Sequence, residues 1–258
     1  MYAQQSLKTV AEPAEIMSHR PPTPTMPTKI PELLCENAEV ILEDSRVTVR
    51  AHDASHRLED FIRNFVREIS SAYGRSDIAP ALEIILKELV TNAAKANFKK
   101  IFFAENGLLL ENPEHYEEGI LRFRELFSQE MFAQYGIKAR NARLEVLIVF
   151  DYNADRFLFE IQDNVPMSSA EERRVREKLK LAMSCGNAGE FIMEHVDETE
   201  GAGLGLMLCI AALRSISVNP RYFSVATDLE SRTIARIEVP LHNGYEPERA
   251  RWQATVTA

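Results

Sequence analysis

Cysteine, tryptophan and glycine are all scarce in this chain of 258 residues, which holds 3, 1 and 10 of them. Cys35, Cys185 and Cys209 are odd in number and have neither metal-binding nor paired spacing. That argues against a zinc site or a disulfide framework, and reduced thiols in a cytoplasmic protein are expected. Long apolar runs are missing too. The longest, Leu144 to Phe150 and Leu204 to Leu213, fall well short of the roughly 20 residues that a spanning helix needs. The opening "MYAQQSLKTV" has no basic-then-apolar leader pattern. Positive charge is also in short supply, with 30 Lys and Arg against 39 Asp and Glu and a net charge of −9. The basic residues are interleaved with acids and form no stripe, so neither nucleic acid nor an anionic membrane is an expected partner.

Proline is concentrated at one end. Six of the 12 prolines (Pro13, Pro21, Pro22, Pro24, Pro27 and Pro31) precede residue 37. Such density forbids helix and favours extended, solvated chain, so residues 1–36 read as a disordered arm. One domain is expected over 37–241, followed by a polar tail over 242–258. Val40 to Ala51 reads as one or two strands. Ser55 to Gly74 reads as an amphipathic helix, with Leu58, Ile62, Phe65, Val66 and Ile69 at helical spacing. A second helix is expected from Ile78 to Asn97. An insertion follows over 99–143, with helical periodicity in Glu117 to Gly136. Its aromatics (Phe123, Phe127, Phe132, Tyr135) suit either an extra packing layer or a docking face. "RLEVLIVFDY" and "RFLFEIQ" form a strand hairpin across "NAD", and "RYFSVATDLESRTIARIEVPL" forms another. Between them lie a charged helix, "AEERRVREKLKLAM", and a glycine-rich loop running into a helix that ends near Ile216. The sum is an α+β fold, a mostly antiparallel, mixed sheet with helices on one face.

Two stretches carry candidate chemistry. On the second helix Leu82, Ile85, Leu86, Leu89, Val90 and Ala93 form the core face. Glu88, Asn92 and Lys95 form a stripe bordering it. The stripe is either a polar flank or a carboxylate, an amide and a cation aimed into one cleft. A carboxylate can take a proton, an amide oxygen suits Mg²⁺, and an ammonium suits phosphate. Gly201-Ala202-Gly203-Leu204-Gly205 then precedes a helix, where backbone N–H groups and the helix dipole favour an anion. Asp163 closes a strand in "IQDNVPM", which reads as a turn or as a buried ligand.

The order "ELVTNAAKAN", a strand ending in "DN", a variable segment, "GAGLGL" and "RTIARIEVPL" resembles the GHKL ATP-binding family of gyrase-type, chaperone-type, MutL and histidine-kinase ATPases. The resemblance spans about Val47 to Leu241. It implies a Bergerat-type two-layer fold using ATP and Mg²⁺. By position it implies that Asn92 ligates Mg²⁺, Glu88 is a general base, and Lys95 lies near phosphate. Asp163 would accept from the adenine amino group. Gly201, Gly203, Leu204 and Gly205 would form the phosphate loop, Thr233 would lie near the nucleotide, and 168–200 would be the ATP lid. "VTVRAHDASHRLEDFIRNFVREISSAYG" looks most like stand-alone anti-sigma-factor serine kinases. These are dimeric protein kinases whose partners are sigma-factor antagonists; a response regulator would be the histidine-kinase equivalent. One departure stands out: Val165 and Met167 occupy the two glycine positions of the family's Asp-x-Gly-x-Gly. It leaves open a non-catalytic, nucleotide-responsive binding module.

Overall fold

The computed structural model of the protein describes residues 38–43, 45–125, 129–184 and 204–248. The proline-rich arm, Gly201 and Gly203 of the expected phosphate loop, the expected lid beyond residue 184, and the end of the tail lie outside the described residues. Six strands make one sheet: β1 (Ala38–Glu43), β2 (Arg46–Ala51), β3 (Val146–Tyr152), β4 (Arg156–Asp163), β5 (Phe223–Thr227) and β6 (Thr233–Pro240). Their order is β1-β2-β3-β4-β6-β5, and every pairing is antiparallel rather than mixed. Among the described residues six α-helices accompany them: α1 (His56–Ala72), α2 (Ala79–Glu105), α3 (Pro113–Glu125), α4 (Gln129–Asn141), α5 (Ser169–Ser184) and α6 (Leu204–Ser215). The architecture is α+β, as the sequence indicated.

Alternation along the strands assigns the two faces of the sheet. Val47, Val49, Ile148, Phe150, Phe157, Phe159 and Ile237 are buried in the same core as Leu58, Phe65, Leu82 and Leu86 of α1 and α2. Alternate positions carry charge instead. Arg236 stands opposite Glu160 in the β4–β6 register and pairs with it at 3.6 Å. α1 ends at Ala72 with Tyr73 as its cap, and Gly74 follows with φ +68°, a left-handed conformation that lets the chain leave the helix.

The main departure from the sequence reading is the length of α2, which runs to Glu105 rather than Asn97. The last two turns are held by aromatic packing. Phe98 meets Phe132 and Tyr135 of α4 at 5.4 and 5.7 Å between ring centroids, and Phe102 meets Phe123 of α3 at 5.5 Å. The periodic stretch Glu117 to Gly136 is not one helix but falls on two, α3 and α4. Both return to the same segment of α2, which one straight helix would cross only once. Phe123 and Tyr135 are buried there, so the insertion is an added packing layer. After β6 the chain folds back, with the Tyr245 hydroxyl and the Glu248 N–H donating to Glu238, so 242–248 is docked on the sheet. Among the described residues no helix is long and apolar enough to cross a membrane.

Candidate functional site

α2 buries the face predicted for it, with Leu82, Ile85, Leu86, Leu89, Val90 and Ala93 all in the core. Glu88, Asn92 and Lys95 fall on its open flank and line a cavity of about 770 Å³. Lys95 is half-buried. Desolvation lowers the pKa of its ammonium, and the nearby Glu88 carboxylate pushes it back up. A lysine in this state is inexpensive to bring against a phosphate, because part of its hydration has already been lost.

Asp163 ends β4 on the same cavity, directly opposite Thr233 in the β4–β6 ladder. Its carboxylate is 6% exposed. Oδ1 accepts from the Val165 N–H at 3.1 Å, which closes an Asx turn. The Thr233 hydroxyl donates to the Val165 carbonyl at 2.9 Å, and the Thr227 hydroxyl accepts from the Met167 N–H at 3.2 Å. Asn164 points the other way: it accepts from the Glu145 N–H at 2.9 Å and donates to the Arg143 carbonyl at 2.8 Å. The turn reading holds, and the turn places Asp163 on the cavity wall. Burial pushes the Asp163 carboxyl up to about 7, with the Val165 N–H and then Lys99 pulling it back and Glu171 pushing it further. Asp163 Oδ2 receives no hydrogen bond from the described residues. Val165 is a core residue that also lines the cavity, beside Pro166 and Met167. This chain thus has an apolar wall where the resemblance leads one to expect glycine.

α6 closes the third side. Gly205 lies in its first turn rather than in a loop. A Cβ added there would stand 2.5 Å from Glu88 Oε2 and 3.5 Å from Asn92 Nδ2. Glycine lets the start of α6 rest on these side chains without displacing the flexible end of Glu88, and Leu204 lines the cavity beside it. Among the described residues, no group of three or more His, Cys, Asp and Glu side chains comes together to hold a metal. Asn92 is a single oxygen donor. That is the kind of ligand Mg²⁺ uses when waters and phosphates complete its shell.

Three further residues, which the sequence did not single out, complete the wall. Lys99, one turn beyond Lys95 on α2, is ion-paired with Glu171 of α5, and their side chains are 15% and 16% exposed. The other Glu171 bonds come from the Tyr116 hydroxyl of α3 at 3.1 Å and from the N–H and hydroxyl of Ser168 at 2.9 and 3.0 Å. Burial, and then the Glu171 charge, push the Tyr116 hydroxyl up to about 12, so it stays a donor. One signal was available for Glu171. Ser168-Ser169-Ala170-Glu171 is a capping box opening α5, with Ser168 Oγ accepting in return from the Glu171 N–H at 3.3 Å. Lys99 and Tyr116 had no local signature.

The seven described residues expected at the site, Glu88, Asn92, Lys95, Asp163, Leu204, Gly205 and Thr233, all line this cavity. No family model matches the chain. An uncharacterized protein from Treponema pallidum (strain Nichols) is 26% identical over 210 residues, covering 81% of this chain and 40% of that protein. The chain thus spans about two fifths of the length of the relative it matches.

Proposed function

We propose that the chain is an ATP-binding signalling protein of the GHKL type, a protein kinase that uses Mg-ATP. The observation that carries this reading is the convergence of Glu88, Asn92 and Lys95 with Asp163, Gly205 and Thr233 on one cavity. Three separate segments supply a carboxylate, an amide, an ammonium, a second carboxylate and a close-packed helix start. In this reading Asp163 accepts from the adenine amino group, and Asn92 with Lys95 holds the Mg-phosphate end. Glu88 takes the proton from the hydroxyl to be phosphorylated. Bound Mg-ATP would supply the phosphoryl group, and the side chains supply position and charge compensation. The acceptor would be a protein partner, a sigma-factor antagonist or a response regulator, approached by the chain alone or as a homodimer in the cytoplasm.

A second reading is favoured by Val165, Pro166 and Met167 on the cavity wall. A valine side chain and a proline lacking an N–H narrow the approach to a base, which suits a nucleotide-responsive module without turnover. Melting the protein with and without Mg-ATP tests the nucleotide site. Ligand at 100 times its Kd adds about 2.7 kcal/mol, a rise of several degrees for a domain of this size. No rise at millimolar Mg-nucleotide would sink both readings. With a rise in hand, Glu88→Gln separates them. It abolishes turnover while keeping the melting shift if the protein is a kinase, whereas a wild type without turnover identifies the binding module.

A further inference from the structure

The cavity has a second charged end. Asn92 and Lys99 are seven residues apart on α2, about 10 Å of helix rise. On the side built by the insertion and α5, the lining includes Arg124 of α3 and Arg174 and Lys178 of α5. Three acids of the same two helices are engaged with other cations: Glu171 with Lys99, Glu172 with Arg176 and Glu118 with Arg122. Arg124, Arg174 and Lys178 form no ion pair among the described residues. Arg174 lies 4.7 Å over the Tyr116 ring, a neutral partner that orients the guanidinium without cancelling its charge. Burial lowers the pKa of Lys178, and the neighbouring charges of Arg174 and Arg124 lower it further. Ile120, Phe123 and Val175 line the cavity between them.

Three cations gathered on one wall, with Lys178 half-buried, repel one another in the empty protein, and an anion placed among them relieves that cost. We propose that this end of the cavity, between α3 and α5, binds a small organic anion: a phosphate or carboxylate group on an apolar body. The charged group meets Arg124, Arg174 and Lys178, and the apolar body lies on Ile120, Phe123 and Val175. The site is distinct from the phosphate end at Asn92, Lys95 and Gly205, and it does not require the ATP reading.

Calorimetric titration of the full chain at low ionic strength with 1-naphthyl phosphate, 1-naphthoate and inorganic pyrophosphate is the test. Saturable binding of naphthyl phosphate is expected, weakened at least about tenfold by Arg174→Gln/Lys178→Gln, the loss of a charge-assisted contact. Arg124→Gln, on the other helix, is expected to weaken it comparably. Lys95→Ala is expected to leave it intact. Binding of both naphthyl compounds supports recognition of charge alone; binding of the phosphate only assigns the site to phosphate esters. Pyrophosphate binding more weakly than naphthyl phosphate supports the role of the apolar wall, and equal or tighter binding overturns that role. The proposal is overturned if naphthyl phosphate fails to saturate in the millimolar range. It is also overturned if the α3 and α5 variants bind it as the wild type does, or if Lys95→Ala abolishes binding. The Mg-ATP melting shift, measured on the same variants, reports separately on the nucleotide reading.

Discussion

Replacing Asp163 by Asn should make the protein more stable and less able to bind nucleotide, and pH decides by how much. The Asp163 carboxyl moves from the ordinary value of 3.8 to about 7 on folding, chiefly because burial penalises its charge. Below about pH 4 the folded and unfolded chains both hold the proton, and no penalty exists. Between about 4 and 7 the unfolded chain releases a proton that the folded one keeps, so stability falls as pH rises by about 1.4 kcal/mol per pH unit. Above about 7 both forms are ionised and the deficit is constant at about 4 kcal/mol. An asparagine does not titrate, and its amide oxygen can still accept from the Val165 N–H. Lys99 and Glu171, the charged groups that act on Asp163, are the same in both proteins. Urea denaturation should therefore show the variant gaining on the wild type by about 2–3 kcal/mol between about pH 5 and pH 8, then levelling. On the proposed ATP reading its melting shift with Mg-ATP should shrink, because the carboxylate that would accept from adenine is gone. A stability gap that does not change with pH, or that widens toward acid, refutes the reasoning from burial.

Three further outcomes follow from the geometry. In Gly205→Ala the new methyl displaces the flexible end of Glu88. Stability should change by less than about 1 kcal/mol, while any ATP turnover falls as it does in Glu88→Gln, measured by phosphate release. Lys99→Met leaves a largely buried Glu171 carboxylate with hydroxyl and amide donors only. It should cost about 3 kcal/mol in urea denaturation, and the double variant Lys99→Met/Glu171→Gln should recover most of that. Asn97 is fully buried on α2, and both of its amide atoms lack a hydrogen-bond partner among the described residues. Asn97→Leu should raise stability by about 1 kcal/mol, and a loss instead would mean that the amide is bonded to buried water.

The parts of the fold that a short period can encode were legible in the sequence. The strands of both hairpins, α1 and the buried face of α2 all follow from spacings of two and of three to four residues. Asp163 at a strand end and the stripe Glu88, Asn92, Lys95 were visible for the same reason. The end of α2 was not. Beyond Asn97 its apolar residues, Phe98, Phe102 and Phe103, answer to α3 and α4 rather than to the sheet, so the earlier pattern no longer describes them. Nor was the Lys99–Glu171–Tyr116 cluster legible, because its members come from three helices and meet only through tertiary packing. Gly205 was visible as a glycine, but the reason for it, a carboxylate 2.5 Å from where a Cβ would stand, is a fact of three dimensions.

α2 is continuous for 27 residues, about 40 Å, and Asn92 lies at its midpoint. One half is clamped by the sheet and α1, and the other projects into the grip of α3 and α4. Such a rod behaves mechanically as a lever, with the site near its fulcrum and the insertion at its free arm. A tilt imposed where Phe98 and Phe102 are held arrives at Asn92 as a rotation of the whole shaft, with no loop between to absorb it. The insertion and the stripe of Glu88, Asn92 and Lys95 are thus joined by one continuous helix.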